Sequence, residues 1–347
     1  MFKIYILFIF SIFINFNFPA LFAEKNEVKV KSLVPKKLDW ESSISNFENQ
    51  LHWYEVDKEE IYREQIKIIN KSIKPNIISV RAIGKSVTVN GSYYPDISNY
   101  VPNAYVEDPN KLFGLSTRGI SKTRFCNGKN FSKGCIDGVL DLDFKLFNNN
   151  AFSIFPKINV QSLSSRGTGF GEGSSLGVKI AKEISRNWSF AFGGENIFHF
   201  DETIDLGHNF FVMTSTYLPL NSKKNSSIIF LNVGLGSDFY GYKGNGFLFR
   251  TPCGNNSLTG TNDDPNSCSW GPIGSVSFAL NDRFSLISEW FGYSYGAGFS
   301  IRPLSENSLS FSLFATDFIK GFPNYAEDHC YGGICETRFY GNISLNF

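Results

Sequence analysis

The chain of 347 residues carries no surplus of charge of either sign, with 33 Lys and Arg against 32 Asp and Glu. Such a balance leaves neither nucleic acid nor an anionic membrane surface a strong field to follow, and no nucleic-acid partner is expected. Charged residues are scarce as well, at 19%. After the first two dozen residues, no run approaches the roughly 18 consecutive apolar residues of a membrane helix, so any later membrane contact must come from strands. The His-Glu-x-x-His helix is missing, and with it one signature of hydrolases. His199 near Asp201 and Glu202, His208 near Asp205, and His329 beside Asp328 are the available bases. None is accompanied by a nucleophile and an orienting third group, so no enzyme activity and no catalytic residue is expected. No cysteine pair has a second pair or a His doublet at zinc spacing, so neither metal nor cofactor is expected.

What is abundant is aromatic: 16% of residues, with 36 Phe. Mean hydropathy is nevertheless slightly negative, unlike a bundle of membrane helices. Strands that alternate apolar residues on one face with polar residues on the other produce this mixture.

Residues 1–23 read as a secretory signal. Lys3 supplies the positive start, Ile4 to Phe18 the apolar centre, and Leu21-Phe22-Ala23 the cleavage site; an uncleaved anchor is the alternative. Residues 24–75 hold two short helical patterns. In the first, Ile44, Phe47, Leu51 and Tyr54 follow Trp40; in the second, Tyr62, Ile66 and Ile69 follow Asp57 and Glu60. They read as a periplasmic or lumen-facing segment, or as a partly ordered linker. Residues 76–112 form a connecting or plug segment with one strand-like run, Ile78 to Val89, whose alternation slips near Gly84. That run suits an inward-folded plug or a periplasmic hairpin better than a lipid-facing strand.

From Phe113 the period becomes two. Leu140, Leu142, Phe144 and Leu146 alternate with Asp141, Asp143 and Lys145, and Leu309, Phe311, Leu313 and Ala315 with serines. Twelve strands follow, at about 113–125, 137–147, 151–162, 175–184, 188–197, 209–219, 228–238, 270–280, 284–292, 295–303, 308–318 and 337–347. Their length of roughly 9–12 residues spans a bilayer when tilted. The expected fold is therefore all-β, a transmembrane antiparallel up-and-down β-barrel of twelve strands over residues 113–347. Fourteen strands is the alternative if 78–90 also crosses, and a soluble sandwich is the rival fold.

Connections supply an independent test. Short ones, such as Asn148-Asn149-Asn150, Ser185-Arg186-Asn187 and Asn281-Asp282-Arg283, alternate with long ones, the short Gly292–Gly296 link excepted. Three local cysteine pairs, Cys126 with Cys135, Cys253 with Cys268 and Cys330 with Cys335, all fall on the long-loop side. Behind an export signal, nearest-neighbour disulfides are the simplest expectation. Trp188 and Trp270 stand at strand ends, in interfacial girdles or packed on loops.

In the last strand Phe339, Gly341, Ile343, Leu345 and Phe347 alternate with Arg338, Tyr340, Asn342, Ser344 and Asn346, and Phe347 is terminal. This resembles the closing strand of bacterial outer-membrane, porin-like β-barrels. The resemblance implies placement in the cell outer membrane, contact with lipid bilayer and lipopolysaccharide, and a terminal Phe347 read by the barrel-assembly machinery. More loosely, Arg81 to Asn90 with Tyr94-Pro-Asp96 and Tyr100-Val-Pro102 is similar to uncharacterised outer-membrane proteins of marine cyanobacteria, without the helical wall-anchoring domain of the large porins there.

The alternation turns Arg118, Lys122, Arg124, Asp141, Asp143, Lys145, Lys157, Lys179, Glu195, Glu289, Arg302 and Arg338 inward. A lumen ringed by charges of both signs tunes which solutes pass. The expectation is passive diffusion of small hydrophilic solutes or ions. A barrel plugged because these charges pair with each other or with the N-terminal segment is the alternative, and an outer-membrane hydrolase the third reading.

Overall fold

A computed structural model describes residues 78–123, 126, 129–132, 135–149, 151–163, 172–185, 187–200, 208–220, 227–237, 240, 249–252, 267–291, 294–304, 307–318 and 336–347. The helical patterns expected within 24–75 lie outside these residues, as do Arg124, Cys253, Cys330, Cys335 and His329.

Among the described residues every regular element is a strand: β1 (Val80–Ile83), β2 (Ser86–Val89), β3 (Ser92–Tyr94), β4 (Phe113–Ile120), β5 (Asp137–Phe144), β6 (Phe147–Asn148), β7 (Phe152–Ser162), β8 (Glu172–Ser185), β9 (Trp188–His199), β10 (Asn209–Pro219), β11 (Ile228–Ser237), β12 (Arg250–Pro252), β13 (Ser267–Asn281), β14 (Phe284–Phe291), β15 (Ser294–Ile301), β16 (Ser310–Thr316) and β17 (Arg338–Asn346). Twelve of them, β4, β5, β7–β11 and β13–β17, pair antiparallel with their neighbours. Pairing of β17 with β4 closes the ring, from Tyr340 opposite Ile120 to Asn346 opposite Gly114. Closure leaves the wall no open edge, and twelve strands, not fourteen, complete it. Strands β6 and β12 are short additions beside β7 and β13.

Each wall strand has a shielded face and an exposed one, and the polarity is the reverse of a soluble protein's. In β17, Arg338, Tyr340, Asn342, Ser344 and Asn346 are buried, while Phe339 and Ile343 are exposed. Around the ring Phe192, Val233, Val276, Leu286 and Leu313 are exposed too, and Ser153, Ser175, Ser215, Asn232, Ser277 and Ser312 are buried. A sandwich with its apolar faces turned inward is thereby overturned. An apolar belt this extensive is unstable against water and stable against lipid.

Residues 78–112 do not cross with the wall. The Ile78–Val89 run, expected as one strand, is a hairpin: β1 pairs with β2 across Gly84-Lys85, Ile83 facing Ser86. Gly84 has a φ of +69°, a conformation glycine adopts freely, and this turn is the physical cause of the slipped alternation. A second two-residue turn, Asn90-Gly91, has φ of +51° and +79° and joins β2 to β3, as an Asn-Gly hairpin does.

Candidate functional site in the barrel lumen

The small sheet β1–β3 and the chain after it are bonded to inward-facing residues on strands all around the wall. On one side the Asp96 carboxylate accepts from the hydroxyls of Ser310 (2.7 Å) and Ser312 (2.6 Å) on β16, from Asn342 Nδ2 on β17 (3.2 Å), and from Ser86 of the segment itself (2.5 Å). Ser285 on β14 donates to the Asp96 carbonyl at 2.6 Å. Glu289 on β14 accepts backbone N–H groups from Asn99, Tyr100 and Val101. Across the lumen, Ala104 N–H donates to Ser215 Oγ on β10 and Glu107 N–H to Ser153 Oγ on β7. A segment held from opposite walls is inside the barrel.

Next to these contacts lies a buried charge cluster. Glu107 binds Lys179 of β8 at 2.5 Å and Lys111 at 3.3 Å, and Lys111 also pairs with Asp143 of β5. Burial alone would raise the Glu107 carboxyl, but the two ammonium groups outweigh it and hold it at about 2. Burial likewise opposes the charge on Lys111, and Glu107 and Asp143 reverse that effect, so its pKa lies above the usual lysine value. On the next strand Lys157 bridges Asp141 (3.2 Å) and Glu195 (3.1 Å), and the Tyr240 hydroxyl donates to Glu195 at 3.2 Å.

Most of the charges assigned inward from the sequence are thus brought together and paired. Arg338 pairs with Asp317 at 2.6 Å, and Arg118 lies 4.4 Å over the Tyr100 ring. Three others sit at the rims. Lys122 follows β4 and pairs with the exposed Glu336. Lys145 donates to the Pro109 carbonyl, and Arg302 meets Asp282 in the β13–β14 turn.

The expectation that the inner face is wholly polar or small needs correction. Phe211, Met213, Phe291, Phe314 and Tyr340 point inward and pack with Val101, Ala104 and Val106. Tyr217, Ile228 and Phe230 do the same against Val80, Val87, Tyr94 and Tyr105. The signal was present on β10 and β11, where both faces are apolar: Phe210 and Val212 outward beside Phe211 and Met213 inward. A strand apolar on both faces is one that something else covers.

Between the segment and the wall remains a cavity of about 120 Å³, lined among others by Lys85, Asn99, Tyr100, Asp141, Lys157 and Glu195. No group of three or more His, Cys, Asp or Glu among the described residues could hold a metal ion. His199 and His208 have ring centroids 5.0 Å apart. A bridge joins Cys126 to Cys135, and Cys268 is disulfide-bonded as well. Trp188 is exposed, whereas Trp270 stacks on Phe249 and donates to Thr251 Oγ1, packing of the loop kind.

No family model matches the chain, and no curated protein does. Among solved structures, an outer membrane channel from Pseudomonas putida F1 is similar, with a TM-score of 0.38 and 11% identity over 72% of this chain and 100% of that one.

Proposed function

We propose that this protein is a porin-like channel of the bacterial outer membrane whose lumen is narrowed by residues 78–112, so that ions and small hydrophilic solutes pass only beside that segment. The observation that carries this reading is the inverted polarity of the closed wall, Phe and Leu outward and Ser, Asn and paired charges inward. In this reading residues 1–23 direct export, bilayer lipid and lipopolysaccharide surround the belt, and the strand ending at Phe347 is what the assembly machinery receives.

Planar-bilayer recording on refolded protein tests it: small, reproducible unitary conductance is expected. Absence of conductance at every voltage would overturn the channel and leave a second reading, a barrel shut for structural or surface-binding use. That second reading is favoured by the bonds from Asp96, Glu107 and Lys111 to opposite walls.

A further inference from the structure

The lumen contains cationic side-chain atoms that no hydrogen bond satisfies. Lys111, Lys157 and Lys179 are each ion-paired. By contrast Lys85 Nζ, Arg118 Nε and Nη1, and both polar side-chain atoms of Asn99 are shielded from solvent and hydrogen-bonded to no protein atom. An unpaired buried ammonium or guanidinium is among the most costly arrangements a fold can hold. Asp141 is not free to relieve it, since it is committed to Lys157 and to Asn159.

Two of these groups, Lys85 and Asn99, share one space. Lys85 and Asn99 line the cavity beside β5 and β7, and so does Tyr100, on which Arg118 stacks. Its volume of about 120 Å³ exceeds the roughly 10–15 Å³ that a single water requires. The carboxylates on its wall, Glu107, Asp141, Asp143 and Glu195, are taken by Lys111, Lys157 and Lys179, so unsatisfied Lys85 and Asn99 donors beside a space larger than one water call for an anion with several acceptor oxygens. We propose that the cavity lined by Lys85 and Asn99, with Arg118 behind Tyr100, binds a small inorganic oxyanion of the sulfate and phosphate class.

Charge in the surroundings sets the pH range. Lys85 faces Arg118 of β4, Asp141 of β5, Lys157 of β7, Glu289 of β14 and Asp96 of its own segment. Burial first, then the charge of Arg118, brings its pKa down to about 7. The site therefore holds its full positive charge below that value and loses one charge above it. A bound dianion favours protonated Lys85, so binding takes up a proton near neutrality.

The inference goes beyond the channel reading and does not depend on conduction, because the site is part of the closed lumen. Its test is calorimetry on the full chain refolded in detergent, with sulfate as the probe, since sulfate keeps its charge across the range. Chloride at equal ionic strength is the control. Saturable one-to-one binding is expected at pH 6, weaker by about tenfold or more at pH 9, as loss of a charge-assisted contact implies. Lys85→Met is expected to lose a similar factor at pH 6, while Lys85→Arg keeps the affinity and loses its pH dependence. No saturable heat above the chloride control, or Lys85→Met binding as the wild type does, would overturn the site. Failure of the bilayer recordings would leave it standing.

Discussion

The Glu289 carboxylate on β14 accepts the backbone N–H of Asn99 at 2.9 Å, and its two oxygens take the next two N–H groups as well. One wall side chain thus satisfies three consecutive buried donors of a stretch that has no strand partner of its own. Glu289→Ala strands those donors, at a cost of about 1–3 kcal/mol for a buried polar group left unpaired. Amide hydrogen exchange at residues 99–101 is expected to accelerate by about tenfold or more on that account, with strands β14 and β15 unchanged. Glu289→Gln, which keeps one acceptor oxygen, falls between. Unaltered exchange in the Ala variant would refute the latch.

Asp96 is the second fastening point, and its loss acts on the segment more than on the wall. In Asp96→Ala the Ser310 and Ser312 hydroxyls and the Asn342 amide lose a common acceptor. Trypsin reports the result, because Arg81, Lys85 and Lys111 all lie within 78–112 while Lys111 is buried and Arg81 is tied to Glu183. Cleavage there is expected to be slow in the wild type and several-fold faster in Asp96→Ala, about what 1–2 kcal/mol of lost fastening gives. Bilayer conductance should rise in the same variant. A variant as resistant as the wild type would show that Asp96 does not hold the segment.

Much of the wall was legible because its cause is local. Alternation in β5, β16 and β17 assigns each side chain a face, and the twelve observed strands coincide with those expected to within a few residues at most ends. The lumenal segment was not legible in this way. The wall partners of Asp96 are 189 to 246 residues away along the chain, and period two tells which face a residue has, never which neighbour it meets. The same limit separates Lys157 from Lys85: alternation turns Lys157 inward, where it binds Asp141 and Glu195, whereas Lys85 lies in the connecting or plug segment, where no alternation assigns it a face, and its Nζ is hydrogen-bonded to no protein atom. The Gly84 turn was visible as a slip in pattern, and reading it with Asn90-Gly91 as two tight turns would have given the three-stranded sheet.

Lys85 also predicts how stability varies with pH in buffer free of oxyanions. Its pKa is lowered from the ordinary 10.5 to about 7 in the folded chain. Between those values the unfolded chain carries a proton that the folded chain lacks, so stability rises with pH through the window. The slope contributed is at most about 1.4 kcal/mol per pH unit. The urea midpoint is expected to climb between pH 7 and 9.5 in the wild type and to climb less in Lys85→Met, which should also be the more stable of the two at pH 7. Identical slopes would remove the buried ammonium as the cause.

The Cys126–Cys135 bridge joins the chain between β4 and β5, at the end of the barrel opposite Phe347. In the orientation with Phe347 toward the periplasm, that end faces outward. An impermeant maleimide applied to intact cells is expected to label the protein only after reduction. Labelling without reductant would break the pairing, and labelling only after lysis would reverse the orientation.

Phe347 is tied to the start of the wall by more than its terminal position. Its ring stacks on Phe113 with centroids 4.6 Å apart, its carbonyl accepts the Leu112 and Phe113 N–H groups, and its own N–H donates to Phe113 at 2.8 Å. These contacts fasten the β17–β4 seam, the last pairing needed to close the ring. Phe347→Ala keeps the backbone bonds and removes the stacked pair, worth about 0.5–1.5 kcal/mol beyond area; Phe113→Ala removes the same pair from the other strand. If the seam is all that Phe347 serves, both variants lower the fraction of heat-modifiable, folded barrel on gels to the same modest degree, in cells and after refolding in detergent. Recognition of the terminal residue during assembly predicts a different pattern. In cells, Phe347→Ala then loses far more folded barrel than Phe113→Ala, while in detergent the two refold alike. Equal losses in cells would confine Phe347 to the seam.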